Sequence, residues 1–152
     1  MDVDQVISGF QRLSASDFDL NDVNSDGMER LEELTSAVRI MPSPERAVPE
    51  MFRVMERMPD VELGSPGPLV HTLEGIPGYE RHLADSVRLQ PSLLSVWMVN
   101  RILNSPIAED RRLFWMELLQ QSADRPDVPD AVRRDTLDFL ARRRGKETEA
   151  AS

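Results

Sequence analysis

The stretch from Asp22 to Glu33 places oxygen-bearing side chains at the spacing of a calcium-binding loop. It matches the EF-hand pattern D-x-[DN]-x-[DN]-G-x5-E, in which carboxylate, amide and carbonyl oxygens surround the ion. The ligands would be the side chains of Asp22, Asn24, Asp26 and Glu33 and the carbonyl oxygen of Met28, with Gly27 at the sharp turn. The chain has no partner loop, however, and Glu29 stands where such loops normally carry an apolar residue. The same residues also fit an Asx-rich turn that leads into a helix capped by Asp26 and Glu29.

The other residues with metal-binding or catalytic chemistry do not form a recognisable site. His71 and His82 are separated by Pro77 and Gly78, so they cannot share one helical face. His71 and Glu74 can, but two ligands make an incomplete metal site, and a buried, hydrogen-bonded histidine is the ordinary explanation. The chain also lacks Cys, a G-x-S-x-G turn and a glycine-rich phosphate loop. We therefore predict a protein that is not an enzyme and that holds no cofactor or metal.

The composition is that of one domain in a reducing compartment. A length of 152 residues suits a single domain, and a chain without Cys can form no disulfide. No apolar run approaches the ~20 residues of a membrane-spanning helix, and the first residues lack the basic start of a signal peptide. We therefore expect a cytoplasmic protein without membrane association.

The negative charge lies in the first half of the chain. Residues 1–76 carry 15 Asp and Glu against 6 Arg, which gives the whole net charge of -9. Residues 77–152 carry 12 acidic and 12 basic side chains, so their net charge is zero. Residues 1–33 alone hold 9 acidic residues and 2 Arg, a local net charge of -7. Such a region repels nucleic acid and attracts a basic partner at a salt-dependent rate, although a merely solvated acidic face would have the same composition.

Apolar residues recur at helical spacing in seven or eight short segments, and no sustained period-two run predicts a strand. The segments are 2–13, 26–41, 43–58, 68–73, 79–90, 91–104, 108–121 and 130–141. We predict an all-α protein with one domain over residues 1–141, and a disordered tail over residues 142–152, which have little to bury. Short helices joined by short loops favour stacked helical hairpins in a HEAT-like right-handed superhelix, and a compact irregular bundle would give nearly the same pattern.

The segment 91–104 is the most apolar of these helices and is predicted to lie at the centre of the domain. Its apolar residues, Trp97 among them, cover most of the helix circumference, which is typical of a helix surrounded by neighbours. Pro91 suits its first turn. Asn100, Arg101 and Asn104 fall within one turn, where they would form a hydrogen-bonding strip inside the protein or at its edge.

Two stretches of the chain resemble a known family. The first is Gly64-Ser-Pro-Gly-Pro-Leu-Val-His-Thr-Leu-Glu74, followed by Gly78-Tyr79. The second is the run from Ser92 to Asn104, which ends in Trp-Met-Val-Asn-Arg-Ile-Leu-Asn. Together they are similar to the immunity protein 30 family of bacterial polymorphic toxin systems, over about residues 27–141.

The resemblance implies an all-helical, HEAT-like protein without enzymatic activity. His71, Glu74, Arg101 and Asn104 occupy the places of the family's His-x-x-Glu and Arg-Ile-Leu-Asn runs. Members of the family are taken to protect the producing cell from contact-dependent growth inhibition by binding the toxin encoded beside them. The implied partner of this chain is therefore a cognate toxin domain.

The resemblance and the charge distribution lead to one hypothesis about the binding site. Many toxins that act inside cells are basic nucleases, and an acidic surface can occupy a basic cleft and exclude nucleic acid. The residues that would form this acidic surface are Asp17, Asp19, Asp22, Asp26, Glu29, Glu32, Glu33, Asp60 and Glu62. A calcium-binding module and a general helical scaffold are the rival functions, while a small-molecule ligand is not expected.

Overall fold

A computed structural model describes residues 1–64 and 66–151 of the chain, with side chains as far as residue 146. In this part of the chain there are eight α-helices, two short 3₁₀ helices and no strand, so the all-α prediction is confirmed. The α-helices are α1 (Val3–Gln11), α2 (Gly27–Arg39), α3 (Val48–Arg57), α4 (Gly67–Glu74), α5 (Tyr79–Leu89), α6 (Leu93–Asn104), α7 (Glu109–Asp124) and α8 (Asp130–Ala151). The 3₁₀ helices are Ala15–Phe18 and Pro44–Ala47.

Local capping explains where several helices begin. At α1 the backbone N–H of Gln5 donates to Asp2 at 2.8 Å, and the Gln5 side chain accepts from the Asp2 N–H at 2.9 Å. Ser92 and Ser95 form the same reciprocal box at α6, so Pro91 precedes the cap instead of occupying the first turn. Between α4 and α5, Gly78 takes a φ of +85°, a left-handed conformation that other residues adopt only at a cost.

Most helices pack against the helix that follows them in sequence or against the one after that. Thus α1 contacts α2 and α3, α3 contacts α5, and α5 contacts α6 and α7. In the same way α2 packs against α4, and α6 packs against α7 and α8. All buried apolar side chains join one continuous core. This neighbour pattern agrees with stacked hairpins, while the HEAT-like superhelix itself stays a prediction.

Helix α6 lies in the middle of this arrangement, with α3, α5, α7 and α8 around it. Its buried apolar residues are Leu94, Val96, Met98, Val99, Ile102 and Leu103. Trp97 is only half-buried, and the guanidinium group of Arg101 lies 5.0 Å from the centre of its ring. The central position of the segment 91–104 therefore follows from its nearly all-round apolar surface.

The last helix extends beyond the predicted end of the domain. Helix α8 continues through Ala151, whereas we predicted a disordered tail from residue 142 onward. Arg143 gives the physical reason at the start of this region, because its guanidinium group donates to the carbonyl oxygen of Leu103 at 3.1 Å and to the side-chain oxygen of Asn100 at 3.1 Å. For Ser152 the prediction lies outside the described residues.

Arg125 ties the end of α7 to the end of α5. Its guanidinium group donates to the carbonyl oxygens of Arg88 at 2.7 Å and Leu89 at 3.1 Å. The same group makes two hydrogen bonds to the Asp127 carboxylate, at 3.0 and 2.9 Å. These bonds lower the pKa of Asp127 below its ordinary value of 3.8, because they favour the charged form.

The Asp127→Asn variant is expected to have a slightly lower melting temperature than the wild type at pH 7. Because the folded-state pKa of Asp127 is lowered, its stabilising contribution is present above the unfolded-state value and is lost as the pH falls through the folded-state value. The difference in melting temperature should therefore shrink progressively as the pH falls below 3.8. It should also shrink at high salt, since the carboxylate is exposed. Thermal melts over this pH range test the prediction, and an undiminished difference at the acidic end would contradict it.

Candidate functional site

The acidic surface predicted from the sequence lies mostly in the connection between α1 and α2 and on α2 itself. Eight of its nine carboxylates are exposed, and Asp17 is half-buried. Near the first turn of α2, a Cβ atom on Gly64 would lie 3.5 Å from Cε of Met28. The segment 60–64, which carries Asp60 and Glu62, therefore ends beside the start of α2. The predicted carboxylates are thus placed where a protein partner could reach them.

Asp17 is the half-buried member of this set, and its contacts stabilise the base of the connection. Its carboxylate accepts a hydrogen bond from the backbone N–H of Ser14 at 2.9 Å. It also pairs with Arg30 at 3.2 Å, and Arg30 pairs in turn with Asp26 at 3.5 Å. The capping box predicted for Asp26 and Glu29 is wrong, because Asp26 makes no side-chain cap and faces Arg30 instead.

The tip of the connection, residues 19–24, is held by its own Asx turns. The Asp19 carboxylate accepts from the N–H of Asn21 at 2.9 Å, and the Asp22 carboxylate accepts from the N–H of Asn24 at 2.9 Å. Such bonds between a side chain and the backbone two residues later fix a turn without a metal. The turn interpretation of this segment therefore accounts for Asp22 and Asn24.

The structure does not have the shape that a calcium-binding loop requires. In such a loop the glycine makes the sharp turn, but Gly27 is not among the glycines with positive φ. It is already the first residue of α2, so the chain is helical from there to Glu33. Among the described residues no three His, Asp or Glu side chains come together as a metal-binding group.

Gly27 is needed for close packing between α2 and the 3₁₀ helix before it. A Cβ atom at this position would lie 2.5 Å from the carbonyl oxygen of Asp17 and 2.9 Å from the ring of Phe18. Real Cβ atoms do not approach backbone oxygen so closely, and the backbone would have to move. Gly27 therefore sets the distance between the connection and α2.

The Gly27→Ala variant is expected to lose about 1–3 kcal/mol of unfolding free energy, the usual cost of overpacking a tight contact. Gly75→Ala is the matched control, because its added Cβ would meet only the carbonyl oxygens of Thr72 at 3.5 Å and His71 at 3.7 Å. Urea denaturation of both variants measures the effect. If the two variants were equally stable, the connection between α1 and α2 could move to accommodate the added Cβ atom at little cost, and the prediction would be wrong.

Sequence inspection missed two residues of this region. Leu20 and Val23 lie at the tip of the connection with exposed fractions of 93% and 98%. Both are apolar, yet neither joins the core. Because they fall in a segment without helical periodicity, no pattern indicates which way they face, and only their position between carboxylates could have drawn attention to them.

The residues that carry the resemblance form a second feature, a cleft between α4, α5 and α6. The Arg101 guanidinium group makes a two-point hydrogen bond to Glu74, with both distances 2.9 Å. The cleft has a volume of about 400 Å³ and is lined by Glu74, Tyr79, Glu80, Arg101, Ile102, Asn104 and Ser105. Glu80 pairs with Arg111 across the rim, so the charges of the cleft are satisfied in pairs. This pairing favours a structural role for Glu74 and Arg101.

Tyr79 has no activated hydroxyl in this cleft. Burial, assisted by the neighbouring charges of Glu80 and Glu74, raises the pKa of Tyr79 to about 12. A phenol with that pKa stays protonated at neutral pH and cannot act as a general base. The Tyr79 hydroxyl can therefore serve as a hydrogen-bonding group in the cleft, but it cannot abstract a proton.

Of the other residues of the resemblance, Asn104 also lines this cleft, whereas His71 is not among its lining residues. Asn104 accepts a hydrogen bond from Arg143, which also donates to Asn100, so two of the three residues of the predicted strip bind the last helix. The third, Arg101, binds Glu74 instead. The expectation of a buried His71 is wrong, since its side chain is exposed on α4. His71 therefore does not share the Glu74–Arg101 ion pair.

One group of residues has the composition of a hydrolase triad without its geometry. Glu56, His82 and Ser86 line a shallow pocket between α3 and α5. The Ser86 hydroxyl is buried and donates to the Glu56 carboxylate at 2.6 Å, so the serine is not hydrogen-bonded to the histidine as a nucleophile would be. The pocket does not support acyl-transfer chemistry.

Comparisons with known proteins do not identify a family for this chain. No helix in the described part of the chain combines the length and apolar character needed to cross a bilayer. Searches against protein-family models, curated proteins and solved structures found no match. The resemblance to the immunity protein 30 family therefore stays a prediction. The acidic surface is supported by the position and exposure of its carboxylates.

Proposed function

We propose that this chain is an immunity protein that binds a cognate bacterial toxin domain and blocks it by occlusion, through the acidic surface of its N-terminal half. The observation that carries the proposal is the exposure of the predicted carboxylates in the half of the chain that holds the whole net charge of -9. A basic toxin domain is the partner that such a surface attracts. The proposed site of action is the cytoplasm, where a toxin that enters or is made in the cell would act.

The charges of this surface are only partly neutralised from within. Arg30 pairs with Asp17 and Asp26, and Arg39 lies 3.8 Å from Glu32. Glu29 and Glu33 make no ion pair with any described residue, and both are exposed on α2. Their field therefore reaches into solvent, where it can speed an encounter with a basic surface and keep nucleic acid away.

Occlusion requires a surface that keeps its shape when the toxin arrives. The connection between α1 and α2 is fixed by the Asp17 contacts, by the two Asx turns and by the close packing of Gly27. A surface that is already ordered loses little conformational entropy on binding, so more of the contact energy is available for affinity. This supports tight inhibition by a surface that provides no chemistry of its own.

Affinity purification tests the proposal and identifies the partner. The chain would be tagged, expressed in the organism that encodes it, and recovered at low and at moderate salt, and the bound proteins would be identified by mass spectrometry. We expect a toxin domain in nearly equal amount. Recovery of a host protein instead would favour a general helical scaffold, and recovery of no toxin while the toxin is being made would overturn the proposal.

A further inference from the structure

We propose that Leu20 and Val23 are the apolar anchors of the acidic surface and that they enter an apolar cavity within the basic face of the toxin domain. This inference rests on the proposed function and adds to it the residues that hold the complex together. The carboxylates would govern the encounter, while the two apolar side chains would govern how long the complex lasts. The two roles can be measured separately as association and dissociation rates.

The exposure of the two side chains is the first observation. Leu20 is 93% exposed and Val23 is 98% exposed, more than any other large apolar residue among those described. They lie three positions apart in sequence on the same short loop, which contains the Asx turns of Asp19 and Asp22. When a partner covers an exposed apolar side chain, the removal of apolar surface from water lowers the free energy of the complex.

The loop that presents these side chains is supported from both sides. On one side the carboxylate of Asp17 accepts from Ser14 and pairs with Arg30, and on the other the hydroxyl of Ser25 donates to the carbonyl oxygen of Ser16 at 3.3 Å. The backbone that carries Leu20 and Val23 is therefore held in place from both sides. Anchors that are ordered before binding lose less entropy in the complex.

The charge around the anchors selects the occupant. Asp19 and Asp22 flank Leu20 and Val23, within a segment 1–33 whose net charge is -7. The same face of a second copy would repel it, and an anionic membrane surface would repel it as well. A protein with a basic rim around an apolar cavity satisfies both the charged and the apolar groups, which is the usual anatomy of an interface with a central anchor.

Another exposed apolar residue provides a matched control. Ile40 is 87% exposed, nearly as much as Leu20, but it follows Arg39 at the opposite end of α2. Replacement of Ile40 removes similar exposed apolar area without touching the loop. Because none of these three side chains packs in the core, their replacement should leave the fold intact.

The experiment measures binding kinetics on a biosensor, with the immobilised toxin domain encoded beside the gene for this chain as the probe. The double variant Leu20→Ser with Val23→Ser should dissociate about 30-fold faster than the wild type, while its association rate stays within about two-fold. Ile40→Ser should match the wild type in both rates. The apolar pair Leu20→Met with Val23→Ile should restore slow dissociation.

Each outcome decides the inference. Faster dissociation of the serine variant, with retention in the apolar pair, supports Leu20 and Val23 as anchors. If the wild type binds and the serine variant dissociates at the same rate as the wild type, Leu20 and Val23 are not anchors, while the proposed function stands. If the wild type itself does not bind this toxin domain, the proposed function fails and the anchors fail with it.

Discussion

Simultaneous replacement of Asp22, Glu29 and Glu33 by lysine is expected to slow association with the toxin domain by about 10- to 100-fold at low salt. All three side chains are exposed, and the two glutamates have no ion-pair partner among the described residues. The change reverses the local field that draws a basic partner toward the surface. The dependence of the association rate on salt should flatten at the same time, because it reports that field. Stopped-flow or biosensor measurements over a range of salt concentrations give both quantities.

Three lysine replacements in the other half of the chain serve as the control. Glu117, Asp124 and Asp138 are exposed on α7 and α8, within the region of zero net charge. Their replacement changes the total charge by the same amount and should leave the association rate within a few-fold of the wild type. Equal effects of the two triple variants would show that only total charge matters. An unchanged affinity of the first variant at low salt would place the toxin elsewhere on the protein.

The Met98→Ala variant is expected to lose about 2–5 kcal/mol of unfolding free energy, the usual range when a fully buried large side chain is truncated. Met98 is 1% exposed and lies on α6, the helix that contacts α3, α5, α7 and α8. A cavity at this position would be shared by several helices, so the surroundings cannot close over it by moving one of them. Urea denaturation monitored by circular dichroism measures the loss.

Leu89→Ala is the comparison for this prediction. Leu89 ends α5 and is 68% exposed, so its truncation should change the unfolding free energy by less than about 0.5 kcal/mol. If Met98→Ala were as stable as Leu89→Ala, α6 would not be the centre of the core, and the organisation of the fold described above would be wrong.

The helices and the exposed carboxylates could be predicted from the sequence because both depend on local patterns. Apolar residues at helical spacing located the eight α-helices of the described part of the chain, and the charge distribution led to carboxylates that are exposed there, apart from the half-buried Asp17. What the sequence could not provide was the partner of each polar side chain. Glu74 and Arg101 are 27 positions apart, and Arg143 reaches Asn104 over 39 positions, so each pair depends on the packing of whole helices.

Three local patterns of the sequence do not decide the structure around them. Asp26 followed by Glu29 matches a capping box, but a nearby arginine offers Asp26 a stronger, charged partner. The region after residue 142 has little apolar character, yet Arg143 stabilises the helix there through the end of α6. Gly27 matches the glycine of a calcium loop by position, whereas in the structure it is the first residue of α2 and packs closely against the backbone of Asp17. At Arg143 and Gly27 a contact between distant or crowded groups outweighed the local pattern, whereas the partner of Asp26 lies only four positions away.

Growth protection shows whether this chain neutralises the toxin inside cells. The toxin domain encoded beside this chain would be expressed from an inducible promoter in a sensitive host, alone, with the wild-type chain, and with the Asp22→Lys, Glu29→Lys, Glu33→Lys variant. We predict full growth with the wild-type chain, arrest without it, and weakened protection by the variant at equal protein level. Growth arrest of cells that contain the folded wild-type chain in excess over the toxin would contradict the proposed immunity function.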